Sequence, residues 1–308
     1  MENEILIFGH KNPDTDSICS SIVKQKLNEK DGKNNTKAIR IGNVNKETQY
    51  VLDYLNIEAP EYVEKVEEGQ KVILVDHNEF GQSIEGIEKA KIIGVVDHHR
   101  ISNFETSEPL YYTARPYGCT STILFKEYKQ KGLEISKEEA VLMASAIISD
   151  TLLLKSPTTT VQDKEALEEL AKIANIDVNV YGIEMLKAGT DLDDYSAEEL
   201  VNLDAKCLDK CGCKFVIAQV NTVDISDMLK RKDEIKNAID NEIEKNNLEL
   251  FVFAITDILN SNSQILVYGK SASIVEKAFD KVLEDDMMFL EGVVSRKKQL
   301  LPKIDGCF

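Results

Sequence analysis

The stretch EILIFGHKNPDTDS, residues 4–17, decides the fold, because a short apolar run stops abruptly at a loop of Gly, Asn, Pro and Asp residues. The stretches KVILVDHNE (71–79) and KIIGVVDHH (91–99) repeat this design. Continuous β-branched runs of this length are typical of parallel strands that are covered on both faces. We therefore predict three buried strands, each followed directly by polar residues. The predicted strands cover residues 4–8, 71–75 and 91–96.

Helical patterns alternate with these strands. Ser17 is predicted to cap a helix that runs to about Lys30. Further helices are predicted over residues 117–132, 136–149, 163–175 and 178–187. Strands that alternate with helices indicate an α/β domain built on a mainly parallel sheet.

The small, acidic stretch KAGTDLDDY (187–195) is the best candidate for a linker, because the pattern restarts beyond it. There we predict strands over 214–220, 248–257 and 264–269, and helices near 225–245 and 271–283. The 308 residues correspond to two domains at the usual ~150 residues each. We therefore predict one α/β domain over 1–188, a linker at 189–195 and a smaller α/β domain over 196–308.

Composition and charge exclude several classes of protein. With 37 Lys and Arg against 54 Asp and Glu, the net charge is −17, whereas a face that binds nucleic acid needs positive charge. No apolar run approaches the ~18 residues that span a bilayer, and the N-terminus lacks the basic region of a signal peptide. The six cysteines suggest no disulfide framework in a chain of this length. We expect a cytoplasmic protein that binds neither nucleic acid nor membranes.

All four histidines fall inside the polar clusters that follow the three predicted strands: His10, His77, His98 and His99. Residues just beyond the carboxyl ends of parallel strands share one crevice, where ligands bind. A single Asp after a strand ordinarily caps the next helix. Helix capping, however, does not explain why three such clusters contain every histidine. We therefore predict that carboxylates and imidazoles from three strand ends form one site.

Carboxylates that converge in this way repel one another unless cations lie among them. Mixed carboxylate and imidazole ligands suit Mn²⁺, Co²⁺, Zn²⁺ or Mg²⁺, and the number of carboxylates suggests two ions. Asp150 is a further candidate ligand, because it ends the apolar helix MASAIIS at a point where the helix dipole favours a cation. An ordinary polar C-terminal turn is the alternative interpretation.

Two other motifs carry less weight. GKS (269–271) resembles the end of a phosphate-binding P-loop, but the position that requires an earlier glycine carries Gln264. Cys207, Cys211 and Cys213 could bind zinc, but no fourth ligand is nearby, so we interpret them as part of a turn.

The motifs GHKNPDTDS, VDHNE, VDHH, SDT (149–151) and GVVSRKKQ (292–299) resemble those of the DHH phosphoesterase superfamily. The chain is most similar to its manganese-dependent family II inorganic pyrophosphatases. The DHH triplet marks only the superfamily, whereas SRKKQ marks the pyrophosphatase branch. The regulated members carry an insertion of nucleotide-binding modules, for which 308 residues leave no room.

This resemblance implies an N-terminal DHH domain, a C-terminal DHHA2-like domain with a mixed sheet, and an active site in the cleft between them. It implies hydrolysis of inorganic pyrophosphate to two orthophosphates by a hydroxide that two metal ions activate. The implied cofactors are two Mn²⁺ per chain, with Co²⁺ as an alternative, and Mg²⁺ that accompanies the substrate. The implied assembly is a homodimer formed through the N-terminal domain.

The resemblance also implies roles for individual residues. The implied metal ligands form three pairs: His10 with Asp14 at one ion, Asp16 with His98 at the other, and Asp76 with Asp150 bridging both. His99 would face the substrate as a hydrogen-bond donor or acid, and catalysis would depend on it together with Asp76 and Asp150. His77 and Asp97 would orient the ligands. The pyrophosphate oxygens would bind three cations of the second domain: Lys206, Arg296 and Lys297.

Alternative functions belong to two other classes. A related enzyme could act on short oligonucleotides or cyclic dinucleotides, but such substrates favour aromatic stacking surfaces and the chain has no Trp. A catalytically silent metal or nucleotide sensor would not need the full set of candidate ligands. For the basic triplet 296–298, a solvated surface loop is the alternative to substrate binding.

Overall fold

The computed structural model describes residues 4–210 and 212–307. The chain divides into two compact units, and the boundary between them falls between Gly189 and Thr190. Both units combine helices with a β-sheet, which confirms the predicted α/β fold class. No helix in the described ranges is both long and apolar enough to cross a membrane.

The first unit is built on a six-stranded sheet in which every pair of neighbours is parallel. Its strands are β1 (Ile5–Phe8), β2 (Thr36–Arg40), β3 (Glu61–Tyr62), β4 (Lys71–Val75), β5 (Lys91–Asp97) and β6 (Tyr111–Ala114). The order across the sheet is β3-β2-β1-β4-β5-β6. The chain therefore builds outward from β1 on one side and from β4 on the other. These two neighbours form the switch point of the sheet, where a crevice lies beyond their carboxyl ends.

The three strands predicted from apolar runs are present. The strand β4 has the predicted bounds, and β1 and β5 differ from theirs by one residue at one end. Their side chains Ile7, Phe8, Val72 and Leu74 have no exposed surface, as expected for strands covered on both faces. The sequence does not predict strands β2, β3 and β6, because none of them carries a continuous aliphatic run and β3 has only two residues.

The helices of this unit are α1 (Thr15–Lys30), α2 (Lys46–Leu55), α3 (Thr120–Lys131), α4 (Lys137–Thr151), α5 (Val161–Ala174) and α6 (Val178–Gly189). Helices α1 and α3 make the main contacts with the sheet, and the others pack mainly against helices. Helix α4 is the most buried, since every side chain from Ala140 to Ile148 has no exposed surface. This burial explains why its sequence is apolar on all sides. Ser136 caps α4 in a capping box with Glu139.

The prediction that Ser17 caps α1 is wrong. The cap is Asp14, whose side chain accepts a hydrogen bond of 3.0 Å from the backbone N–H of Ser17. A carboxylate three residues earlier satisfies the free N–H groups of the first turn, so the helix begins at Thr15. The Ser17 hydroxyl instead donates to Asp76 Oδ2 at 2.8 Å.

The second unit contains a five-stranded mixed sheet, as the resemblance implied. Its strands are β7 (Ala205–Lys210), β8 (Cys213–Thr222), β9 (Leu250–Asp257), β10 (Asn262–Tyr268) and β11 (Met287–Glu291). They lie in the order β11-β10-β9-β8-β7, and only β8 and β9 of these run parallel to each other. The helices are α7 (Ala197–Asn202), α8 (Ile225–Leu229), α9 (Lys232–Asn246), α10 (Ser273–Phe279) and α11 (Leu301–Asp305). Apolar clusters cover both faces of the sheet.

Two features of this unit are more specific than the sequence indicates. The helical stretch predicted near 225–245 is present as two helices, α8 and α9. Arg231, between them, donates hydrogen bonds to the carbonyls of Leu192 and Tyr195. The basic triplet does not form a loop. It lies in a five-residue π-helical turn, Arg296–Leu300, which Ser295 caps by accepting a hydrogen bond from the N–H of Lys298.

The described cysteines are all free: Cys19, Cys119, Cys207, Cys213 and Cys307. Cys207 and Cys213 lie on the paired strands β7 and β8, on either side of the turn that the sequence predicts. Cys211, the third cysteine of the zinc alternative, lies outside the described residues.

Candidate metal centre

Four chain segments bring the candidate ligands to the switch point of the first unit. His10 follows β1, Asp76 directly follows β4, and His98 directly follows β5. Asp14 and Asp16 lie at the start of α1, and Asp150 lies in the last turn of α4. Parallel strands end at one edge of the sheet, so these side chains meet although up to 140 positions separate them in the sequence.

The first group of ligand atoms comes from His10, Asp14 and Asp76. The Nε2 atom of His10 lies 3.4 Å from Asp14 Oδ2 and 3.4 Å from Asp76 Oδ2. These distances exceed the 2.7–3.2 Å of a good hydrogen bond. They suit two atoms that share one metal ion, each about 2.0–2.2 Å from it.

The second group comes from Asp16, Asp76, His98 and Asp150, whose ligand atoms all lie within 4.8 Å of one another. The Nε2 atom of His98 is 3.4 Å from Asp76 Oδ1 and 3.6 Å from Asp150 Oδ2. Asp76 therefore offers one oxygen to each group, which is the geometry of a bridging ligand. Among the described residues, Asp150 falls in the second group and not in the first, so its own bridging role stays a prediction.

The electrostatics of both groups indicate a shortage of positive charge. Burial lowers the pKa of His10, but the adjacent carboxylates of Asp14 and Asp76 outweigh burial and raise this pKa to about 10. Burial likewise opposes protonation of His98, yet Asp76 and other carboxylates raise its pKa to about 9. Burial and neighbouring carboxylates raise the pKa of Asp150 well above its usual value. Divalent cations would replace the protons that these side chains otherwise attract, so the donor set fits a pair of metal ions.

The orientation of His98 depends on residues that sequence reasoning missed. Its Nδ1 lies 3.0 Å from the carbonyl oxygen of Tyr117, so Nδ1 carries the proton in the neutral ring and Nε2 presents its lone pair to the carboxylates. The next residue, Gly118, donates its N–H to Asp163 at 2.9 Å. A Cβ at Gly118 would lie 2.7 Å from Asp163 Oδ2, so this close approach requires glycine.

The start of α3 also stabilises the ligands. Asp16 accepts hydrogen bonds from the backbone N–H groups of Thr120 and Ser121, at 2.6 and 3.1 Å, and from the hydroxyl of Ser20 at 2.6 Å. The Thr120 hydroxyl donates to Asp76 at 3.2 Å. The contacts of Thr120 and Ser121 come from the run of small and polar residues GCTST (118–122), for which the sequence predicts only a helix.

His99 forms a third group of possible ligand atoms with Asp76 and His98, but it is more exposed than the ligands of the first two groups. Its side chain is 51% exposed, and its Nδ1 lies 3.0 Å from Asp97 Oδ1 and 3.7 Å from Asp76 Oδ1. The hydrogen bond with Asp97 raises the pKa of His99. Asn78 in turn donates to Asp97 at 2.6 Å, which fixes the carboxylate. Since Nδ1 is engaged by Asp97, Nε2 is the nitrogen available to an incoming group.

His77 is buried and makes its contacts within the strand ends rather than with the ligands. Its ring nitrogens lie 2.9 Å from the carbonyl of Val75 and 3.1 Å from the hydroxyl of Ser83. Burial lowers its pKa to about 4, so the ring is neutral. These bonds fix the turn in which Asp76 adopts a left-handed backbone, with φ of 58°.

The cations predicted to bind substrate lie in the second unit. Lys206 is exposed on β7, and Lys297 is exposed in the π-helical turn. Arg296 donates to both carboxylate oxygens of Asp204, at 2.7 and 3.3 Å. Its backbone N–H donates to Gln219 of β8 at 2.8 Å, which ties the turn to the sheet. Sequence reasoning did not identify Asp204 or Gln219.

Comparison with known proteins finds matches along nearly the whole chain. Two family models match the chain: the DHH family N-terminal domain over residues 4–147 and the DHHA2 domain over residues 183–307. A relative from Bacillus velezensis is 55% identical over 300 residues, which cover 97% of each chain. One from Bacillus cereus is 51% identical over 306 residues, which cover 99% of each chain. Both are named probable manganese-dependent inorganic pyrophosphatases.

A solved structure extends the similarity to the whole fold. The crystal structure of a Methanococcus jannaschii protein, assigned to the family II inorganic pyrophosphatases, matches with a TM-score of 0.61 and 38% identity. The match covers 99% of both chains. The chain therefore belongs to the manganese-dependent, or family II, inorganic pyrophosphatases of the DHH phosphoesterase superfamily.

Proposed function

We propose that the chain hydrolyses inorganic pyrophosphate to two orthophosphates, with one Mn²⁺ bound in each of the two ligand groups. Co²⁺ is an alternative to Mn²⁺, and Mg²⁺ enters with the substrate. The observation that carries the proposal is the placement of Asp76, whose two oxygens lie 3.4 Å from the Nε2 atoms of two different histidines, His10 and His98. A carboxylate shared in this way is suited to two ions held close together.

Metal ions bound there would supply a strong nucleophile at neutral pH and screen the charge of the phosphates. The side chains of the protein perform the remaining tasks. Asp97 orients His99, whose Nε2 would donate a hydrogen bond or a proton to a phosphoryl oxygen. Hydrogen bonds from Ser17, Ser20 and the start of α3 hold the carboxylate ligands in place before substrate binds.

We propose that Lys206, Arg296 and Lys297 bind the pyrophosphate oxygens, so that the second unit supplies the substrate affinity. Arg296 supports this role through its present contact with Asp204, because a guanidinium that makes a two-point contact with a carboxylate can make the same contact with a phosphate. Asp204 would keep the guanidinium group of Arg296 extended until a phosphate group of the substrate takes the place of the Asp204 carboxylate.

Replacing Arg296 by Lys (Arg296→Lys) should raise KM and lower kcat/KM without changing metal content. Lysine keeps the positive charge but lacks the planar guanidinium group, so one of the two parallel hydrogen bonds to phosphate disappears. The expected cost is roughly 1.5–3 kcal/mol in kcat/KM, the worth of one hydrogen bond to a charged group. Steady-state kinetics with pyrophosphate measures it, and the exposed neighbour Lys298→Ala serves as the control that leaves KM unchanged. Wild-type kinetics in Arg296→Lys would contradict the assignment.

Phosphate release from three substrates tests the proposed function itself. We expect rapid release from pyrophosphate with Mn²⁺, slower release with Mg²⁺ alone, and little release from a dinucleotide or ATP. Chelation of metal should abolish the activity, and readdition of Mn²⁺ should restore it, because each of the two proposed ligand groups holds more carboxylates than imidazoles and so attracts cations. Preferred hydrolysis of the dinucleotide would favour the related phosphodiesterase function instead. Absence of any hydrolysis with metal bound would favour a sensor.

We also propose a cytoplasmic homodimer formed through the first unit. The support in the structure is the edge strand β6, where the Tyr111 side chain is 87% exposed. An exposed edge strand with a large aromatic side chain is ready to pair with another chain. Sedimentation equilibrium of the wild type and of Tyr111→Lys tests this, and a monomeric wild type would contradict it.

A further inference from the structure

Glu47, in the first turn of α2, makes contacts that neither the sequence nor the proposed mechanism assigned to it. Its Oε1 atom accepts a hydrogen bond of 2.5 Å from the hydroxyl of Thr15. The same oxygen accepts a hydrogen bond of 2.5 Å from the hydroxyl of Ser149. One carboxylate oxygen therefore joins two segments that are far apart in the sequence.

Both donors lie directly beside proposed metal ligands. Thr15 stands between Asp14 and Asp16, and Ser149 immediately precedes Asp150. The first turn of α1 and the last turn of α4 thus share one acceptor, and these two turns carry three of the six proposed ligands. A shift of either turn would move its carboxylates away from the ions.

The position of Glu47 is itself restricted on its other side. A Cβ at Gly189, the last residue of α6, would lie 2.8 Å from Glu47 Cβ and 3.0 Å from Glu47 Oε2. The Thr15 hydroxyl also contacts that of Thr48 at 3.1 Å, which adds a second bond between α1 and α2. Glu47 is therefore packed against α6 while it binds α1 and α4.

We propose that Glu47 is a positioning residue of the metal centre, which aligns Asp14, Asp16 and Asp150 through the hydroxyls of Thr15 and Ser149. This inference rests on the proposed function, because it concerns ligands of the proposed ions. Groups that orient metal ligands without binding the metal typically contribute 10–100-fold to metal affinity. Glu47 should contribute in this range although it is not itself a ligand.

The test measures Mn²⁺ binding to metal-free protein by electron paramagnetic resonance, together with the melting temperature in the absence of metal. Glu47→Ala should raise the Kd for Mn²⁺ by about 10–100-fold. Glu139→Ala is the matched control, because Glu139 is a buried carboxylate at the opposite end of α4 and accepts hydrogen bonds from Tyr128 and Ser136. It should lower the melting temperature and leave the Kd for Mn²⁺ at the wild-type value.

Two further variants distinguish the alignment of the metal ligands from an effect of the Glu47 charge. They also keep the test valid if Glu47→Ala does not fold. Ser149→Ala and Thr15→Val leave the carboxylate in place but remove its donors, and each should raise the Kd by about tenfold. Gly189→Ala should act in the same direction by displacing Glu47. Wild-type Kd values in Ser149→Ala and Thr15→Val would overturn the proposal, whatever Glu47→Ala shows. Failure of the wild-type protein to bind Mn²⁺ would overturn the proposed function as well.

Discussion

Replacing Asp76 by Asn (Asp76→Asn) is expected to empty both ligand groups of Mn²⁺ and to lower kcat for pyrophosphate by at least about 10³-fold. Asp76 belongs to every ligand group that the described residues form. Asparagine keeps one oxygen but turns the other into an N–H₂ group, which cannot bind a cation. One of the two proposed ions would therefore lose a ligand outright, and both would lose the negative charge of Asp76. Loss of a single group that stabilises charge already costs about 10²–10³-fold.

Metal analysis of the dialysed protein together with kcat at saturating pyrophosphate measures this effect. Asp257→Asn is the control, because Asp257 is a buried aspartate of the second unit that accepts hydrogen bonds from Leu259 and Asn260. It should reduce stability without reducing metal content. Two equivalents of Mn²⁺ retained by Asp76→Asn would contradict the bridging role.

Replacing His99 by Gln (His99→Gln) is expected to lower kcat about 10²–10³-fold while both metal ions stay bound. The imidazole lies beside the ligand groups, but Asp97 engages its Nδ1, so only Nε2 is free to act on the substrate. Glutamine fits the space but has no titrating proton to donate. The loss should therefore appear in kcat and not in Mn²⁺ content.

His98→Gln is the matched comparison, since it makes the same change one residue away. His98 presents Nε2 to Asp76 and Asp150, so this variant should weaken the second ligand group and lose metal. Excess Mn²⁺ should restore part of its activity and none of the activity of His99→Gln. If both variants bound two ions normally and lost the same activity, the division between ligand and substrate contact would be wrong.

Much of the first unit could be predicted from the sequence because its central strands carry a strong local signal. The strands β1, β4 and β5 are continuous apolar runs, and each is followed by charged residues. The rule that parallel strands end at one edge then predicts that His10, Asp76 and His98 meet. Strands β2 and β3 give no such signal, since Lys37 and Arg40 interrupt one and the other has two residues.

The supporting contacts could not be predicted, because they depend on pairs of residues that only the fold brings together. Ser149 and Glu47 are 102 positions apart, and Asp16 and Thr120 are 104 positions apart. Their residue types are common in capping positions and on surfaces, so nothing local marks them. The misplaced cap of α1 has a similar origin. Asp14, Asp16 and Ser17 are all good cap residues, and the choice among them depends on Asp76, which takes the hydroxyl of Ser17.

The boundary between Gly189 and Thr190 separates the two tasks proposed for the chain, metal binding and substrate binding. Every proposed metal ligand precedes it, and every proposed substrate-binding cation follows it. Mutations in the second unit can therefore alter which phosphate compound is accepted while the donor atoms for metal stay unaltered. Under this assignment, exchange of the second unit alone would change the substrate and keep the metal-dependent hydrolysis of the first.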